Sequence, residues 1–142
     1  MLPEAFGPGS DKNTLTQLFY DKGFDATDLA ALIGAHTVSQ AFTKERNRIP
    51  PGGPQDSTPT QWDTNYYQQL KSDPQGVYHF QSDVNLYAGG TGDVGSQMAR
   101  FAGSQSGFNS AFATAMGKMN LLGVPAGVVS EMVDCTSVIE NL

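Results

Sequence analysis

The sequence predicts a mainly α protein with long ordered loops and little or no β structure. Apolar residues recur at i, i+3, i+4 and i+7 in several segments, which is the period of a helix with one buried face. Most of those segments begin with a capping residue. Sixteen glycines and eight prolines in 142 residues interrupt the chain between them. Residues 1–142 carry no internal repeat, low-complexity tract or charge block, so a single domain is expected. At this length a globule buries roughly 68–70% of the surface its unfolded chain exposes, enough for a real core.

Ser10 or Asp11 can cap a first helix on which Leu15, Leu18 and Phe19 share a face, with Gly23 available to end it. Asp25 can cap the next one. Asp28 stands three residues on, near the positive helix end, and Phe24 with Leu29 occupy the flanking staple positions. A helix over about 26–40 follows, on which Leu29, Leu32, Ile33 and His36 fall on one face, so His36 is expected to point inward.

Residues 43–57 (TKERNRIPPGGPQDS) contain three prolines, two glycines and no apolar period, and read as a loop long enough to need a tether. Thr58 with Pro59 at the first helical position and Gln61 beyond predicts a helix carrying Trp62, Tyr66, Tyr67 and Leu70. The alternation Val77-Tyr78-His79-Phe80 suggests a short strand before Ser82 and Asp83. Gly89, Gly90 and Gly92 mark a break. From Ser106, Phe108, Phe112, Ala115 and Met119 recur at helical spacing until Gly123 and Pro125 stop them. Residues 127–142 are expected to return along the surface.

Eight basic against fourteen acidic residues give a net charge of −6, which disfavours electrostatic binding to nucleic acid or to an acidic membrane surface. No apolar run reaches the length of a spanning helix, and the N-terminal residues do not have the pattern of an export signal. Cys135 has no partner in the chain, so it is either a buried free thiol or one half of a bridge to another segment or chain.

A buried histidine is ordinarily a satisfied core residue, and less often a ligand or catalytic group. Here Thr37 follows His36 directly, Asp56-Ser57-Thr58 and Asp63 bring hard oxygen donors around one helix start, and Asp83 stands in a Gln-Ser-Asp turn. That is a dense set for a chain with only 15% charged residues.

The segment from Asp28 through His36-Thr37-Val-Ser resembles the proximal-histidine motif of the plant, fungal and bacterial haem peroxidase superfamily. LPEAF near the start, DSTPTQWDTNYY at 56–67, FQSDVNL at 80–86, FNSAFATAMGKMNLLGV at 108–124 and MVDCTSVI at 132–139 are similar in the same order. The wording is nearest to fungal class II-like enzymes, a secreted family. The resemblance implies the proximal helical domain of the haem peroxidase fold, with haem b and calcium as cofactors.

Residue by residue, it implies that His36 ligates the iron and that Asp83 accepts the other ring N–H, making the imidazole more electron-rich. Thr37, Asp56, Thr58 and Asp63 match a proximal calcium site, with Gln61 giving a main-chain carbonyl; such a set meets the oxygen demand of that ion. Capping alone is the competing role for Asp56, Thr58 and Asp83. Gln55 stands where the fungal relatives often have phenylalanine, implying a wetter pocket. His79 occupies a position where a basic residue is common; it is expected at the surface, with approach to a haem propionate as the alternative. Lys44, Glu45 and Arg46 resemble a stretch of ascorbate-type relatives, offset by one residue.

The distal arginine and histidine motifs, which move the peroxide proton and polarise the O–O bond in the family, do not occur in this sequence. A homo-oligomer or a separate distal chain is therefore expected to cover the second haem face. Three readings follow: a haem-dependent peroxidase completed by another copy or chain, a haem-binding or haem-free interaction module without the reaction, or a fragment of a longer enzyme. The reducing substrate is not legible.

Overall fold

Asp11 opens the first helix by accepting the backbone N–H groups of Asn13 and Thr14 on its Oδ1, at 2.9 and 3.1 Å. In the computed structural model, which describes residues 9–42, 49–88, 93–135 and 137, this helix is α1, Lys12–Tyr20. It ends before Gly23, whose φ of +86° is a left-handed turn that a side chain would strain. Helix α2, Ala26–Ile33, begins with the expected capping box: Asp25 accepts the Asp28 N–H at 2.9 Å and Asp28 accepts the Asp25 N–H at 3.0 Å.

The α-helical hydrogen bonding does not continue to residue 40. From Gly34 to Val38 the backbone tightens into a 3-10 turn. With about three residues per turn, His36 eclipses Ile33 instead of drifting off its face. Two local pulls account for the change: the Thr37 hydroxyl turns toward Asp56 and Asp63, and Ser39 bonds back to the His36 carbonyl through both its N–H and its hydroxyl.

The Pro/Gly loop that follows is tethered by a short antiparallel pair, β1 Gln40–Ala41 with β2 Gly53–Pro54, in the register Gln40 to Pro54 and Ala41 to Gly53. Lys44, Glu45 and Arg46 lie outside the described residues. The next helix, α3, runs Asn65–Ser72, starting well after Thr58. Between Thr58 and Thr64 the side chains compete with the helix for backbone donors: Asp56 Oδ1 takes the Thr58 N–H at 2.8 Å and Asp63 Oδ1 takes the Asn65 N–H at 2.8 Å.

Residues 77–80 form no strand. Their main contact with the small sheet is one bond from Tyr78 N–H to the Pro54 carbonyl, and the first three of them are buried, so the alternation does not reflect a half-exposed face. Asp83 belongs to a helix, α4 (Gln81–Tyr87), in its first turn. Helix α5, Val94–Ala102, was not expected; Asp93 caps it through the Ser96 N–H at 3.2 Å, and Val94, Met98 and Phe101 form its buried face. Helix α6 is Gln105–Asn120, and the short α7, Ala126–Val129, leads into an exposed tail.

The core lies where α2 packs on α5 and α6. Ala30 and Ala31 are completely buried, and their small side chains allow close approach, while Tyr67, Phe101 and Phe108 fill the space between the helices. Burying each of these rings is worth roughly 1.5–3 kcal/mol. Gly34 completes the fit, because a Cβ there would collide with the Tyr67 hydroxyl and the Phe108 ring. Helix α2 therefore ends at a fixed depth, with His36 held one short turn beyond. Among the described residues the fold is mainly helical with one two-stranded sheet.

Candidate functional site

His36 and Asp83 meet across 47 residues of chain: His36 Nδ1 lies 2.8 Å from Asp83 Oδ2. Because a carboxylate only accepts, Nδ1 is the donor in this bond, which in the neutral imidazole leaves the lone pair on Nε2. The imidazole edge is partly open, with 29% of the side chain exposed against 7% for Asp83. Phe80 and Tyr66 pack edge-on against the ring, with centroids 5.3 and 5.2 Å away, so its orientation is fixed on two sides.

The sequence marks Tyr66 only as one of the residues carried by the helix expected after Thr58. In the fold it is fully buried and donates to the same Asp83 Oδ2 at 2.6 Å, while its hydroxyl also stands 3.2 Å from His36 Nδ1. Burial first, and then the Asp83 charge, push the phenol well above its ordinary range, so it remains a donor. Ser82 Oγ donates to the other carboxylate oxygen at 3.1 Å. Local sequence carries no sign of this: the pairing depends on how α3 and α4 pack.

The other oxygen donors lie close together. Thr37 Oγ1 lies 2.6 Å from Asp56 Oδ2, 3.1 Å from Asp63 Oδ1 and 3.5 Å from the Gln61 carbonyl. Thr58 Oγ1 lies 2.8 Å from Asp63 Oδ2 and 3.4 Å from Asp56 Oδ1. Thr37 and Asp56 are completely buried.

A hydroxyl has one proton to give, so three acceptors around Thr37 Oγ1 exceed what it can satisfy. No Lys or Arg among the described residues pairs with Asp56 or Asp63. Two carboxylates with hydroxyl and carbonyl oxygens suit a hard divalent cation. Among the described residues no group of three or more His, Cys, Asp or Glu side chains is placed to hold a metal ion, so an ion here would depend on hydroxyl and carbonyl oxygens beside the two carboxylates.

Other expectations change. His79 is buried, with 2% of its side chain exposed; Nδ1 is 3.2 Å from Asp73 Oδ1, and Nε2 has no partner. It reaches this depth because Tyr66 packs against it, at 5.4 Å between ring centroids. Gln55 is also buried, its carbonyl held by Ser39 Oγ and its Nε2 unpartnered. Cys135 is an exposed free thiol, and residues 131–135 are all exposed.

Residues 2–104 match the family model described as peroxidase. The chain belongs to the peroxidase family. Peroxidase 22.3 of Oryza sativa subsp. japonica is 34% identical over 160 residues, covering 92% of this chain and 49% of that protein. Peroxidase 42 of Zea mays is 33% identical, covering 88% of this chain and 45% of that one. A peroxidase of Lupinus polyphyllus is 33% identical, with coverage of 89% and 94%. The chain thus spans about half the length of the rice and maize relatives it matches. All three are plant peroxidases and give no support to the fungal wording of the motifs.

Proposed function

We propose that this chain is the proximal, haem-b-holding part of a peroxidase-type oxidoreductase. The observation that carries the reading is the bond between His36 Nδ1 and Asp83 Oδ2, which holds the ring and frees Nε2. Held through a histidine with a carboxylate behind it, haem would supply the electrons that reduce peroxide and would recover them from a reducing substrate. The residues of this chain act around it: His36 holds the iron, Asp83 retains the Nδ1 proton and makes the ring a stronger donor, and Phe80 and Tyr66 stop the ring from turning.

Calcium at Thr37, Asp56, Thr58, Asp63 and the Gln61 carbonyl would clamp the loop to the residue adjoining His36. The excess of acceptors around Thr37 Oγ1 supports this role. The opposite face of the haem is completed by another segment, a second copy or a separate chain.

Titration of the chain with haem tests the reading: a Soret band is expected that His36→Ala abolishes. Peroxide-dependent oxidation of a chromogenic phenol must then exceed that of free haem. A His36-dependent Soret band without such turnover would instead favour a haem-binding module that keeps the fold and lacks the reaction.

A further inference from the structure

We propose that Tyr66 is a positioning residue that tunes His36 through Asp83, acting as a second donor that competes with the imidazole for one carboxylate oxygen. The inference rests on the haem-holding role of His36. Asp83 Oδ2 receives Tyr66 Oη at 2.6 Å and His36 Nδ1 at 2.8 Å, so the phenol is the nearer of the two donors. Each donor draws on the same negative charge, and what goes to the phenol is withdrawn from the bond to His36. With Tyr66 bonded, the ring is held firmly but is less electron-rich than a full carboxylate partner would make it.

Among the described residues no donor other than His36 and Tyr66 is placed on Asp83 Oδ2. Tyr66 is completely buried, so bulk water does not reach the oxygen it occupies, and Ser82 bonds to Oδ1, not Oδ2. Tyr66 also joins α3 to α4 and to the 3-10 turn that carries His36, because its hydroxyl touches Asp83 and His36 together. Its neighbour Tyr67 provides an internal contrast: equally buried and on the same helix, it donates to the Ala30 carbonyl at 2.8 Å and makes no bond to Asp83.

The test is the ferric/ferrous midpoint potential of the haem-loaded chain, read by spectroelectrochemistry in Tyr66→Phe and Tyr67→Phe. Tyr66→Phe returns the oxygen to His36, so the potential is expected to fall. The ferric-to-ferrous ratio at fixed applied potential should rise at least roughly threefold, about 30 mV at 59 mV per tenfold. Tyr67→Phe should leave it unchanged. An unchanged or raised potential in Tyr66→Phe overturns the proposal, as does an equal fall in both variants, which would mark a packing effect.

If Tyr66→Phe does not fold, 3-fluorotyrosine placed at position 66 serves instead. It is nearly isosteric and a stronger donor, so the potential should rise, and a fall or no change overturns the proposal. Failure of the wider reading is distinguishable: a Soret band that persists in His36→Ala, or none at all, removes the haem role of His36 and this inference with it. A His36-dependent band without the potential shift removes only the role of Tyr66.

Discussion

Lys118 Nζ stands 2.5 Å from Asp28 Oδ2, the same oxygen that receives the Asp25 backbone N–H at 3.0 Å. The last turn of α6 is thereby tied to the first turn of α2, whose far end carries His36. The Asp28 side chain is only 6% exposed, whereas that of Lys118 is 45% exposed. The two ends of the pair therefore contribute unequally. Asp28→Ala, which removes the acceptor of the Asp25 N–H but leaves the Asp25 cap on the residue-28 N–H, is expected to cost about 1 kcal/mol in urea denaturation. Lys118→Met should cost clearly less, since an exposed ion pair is screened by water. Equal losses would show that the ion pair, not the cap, is the main contribution.

Gly34 and Gly117 should respond to alanine in opposite directions. A Cβ at Gly34 meets the Tyr67 hydroxyl and the Phe108 ring, while one at Gly117 meets nothing within 4 Å. Gly34→Ala is expected to destabilise by about 2–3 kcal/mol, because the surrounding core is already filled. Gly117→Ala, in the open middle of α6, should stabilise by roughly 0.5–1 kcal/mol. Thermal melts of both variants against the parent decide it.

Calcium should stabilise the chain, and chelation should reverse the effect. At a hundredfold excess over the dissociation constant the expected gain is about 2.7 kcal/mol. Asp56→Asn should abolish the calcium-dependent rise in melting temperature, since it removes one of the two carboxylates on the Thr37 hydroxyl. A parent melt that calcium leaves unmoved would reduce the cluster to a capping network.

Alkaline pH should unfold the protein through its buried phenols. Tyr66 and Tyr67 are both held above their ordinary value of 10.0, chiefly by burial. The folded state therefore keeps protons that the unfolded chain releases. The stability they contribute is fully present below about pH 10 and is lost as pH rises toward the folded values. Tyr67→Phe should flatten that decline while costing roughly 1 kcal/mol at neutral pH for its bond to the Ala30 carbonyl. Denaturation midpoints at pH 8, 10 and 11 measure both effects, and a parent curve that is flat over this range would contradict them.

Capping and periodicity act within a few residues, and these parts of the fold were legible. Asp11, the Asp25–Asp28 box, Gly23 and the long α6 all follow from neighbours along the chain. The start of α5 was equally available, since Asp93 precedes Val94, Met98 and Phe101 at helical spacing, but the adjacent glycines obscured it. Thr58-Pro59 misled for a physical reason. Asp56, Thr58 and Asp63 use their side chains on each other and on backbone donors, which delays α3 to Asn65.

The sequence by itself determined a mainly helical chain, the identity of His36, Asp83 and the oxygen donors as candidates, and the family pattern they follow. Only tertiary structure decided which atoms share a partner. The 3-10 tightening at Gly34, the burial of His79 and the convergence of Tyr66 and His36 on one Asp83 oxygen each depend on segments far apart in the chain. Spacing of 17 and 47 residues from Asp83 carries no distance information until α3 and α4 pack, and hydrogen-bond strength depends on tenths of an ångström.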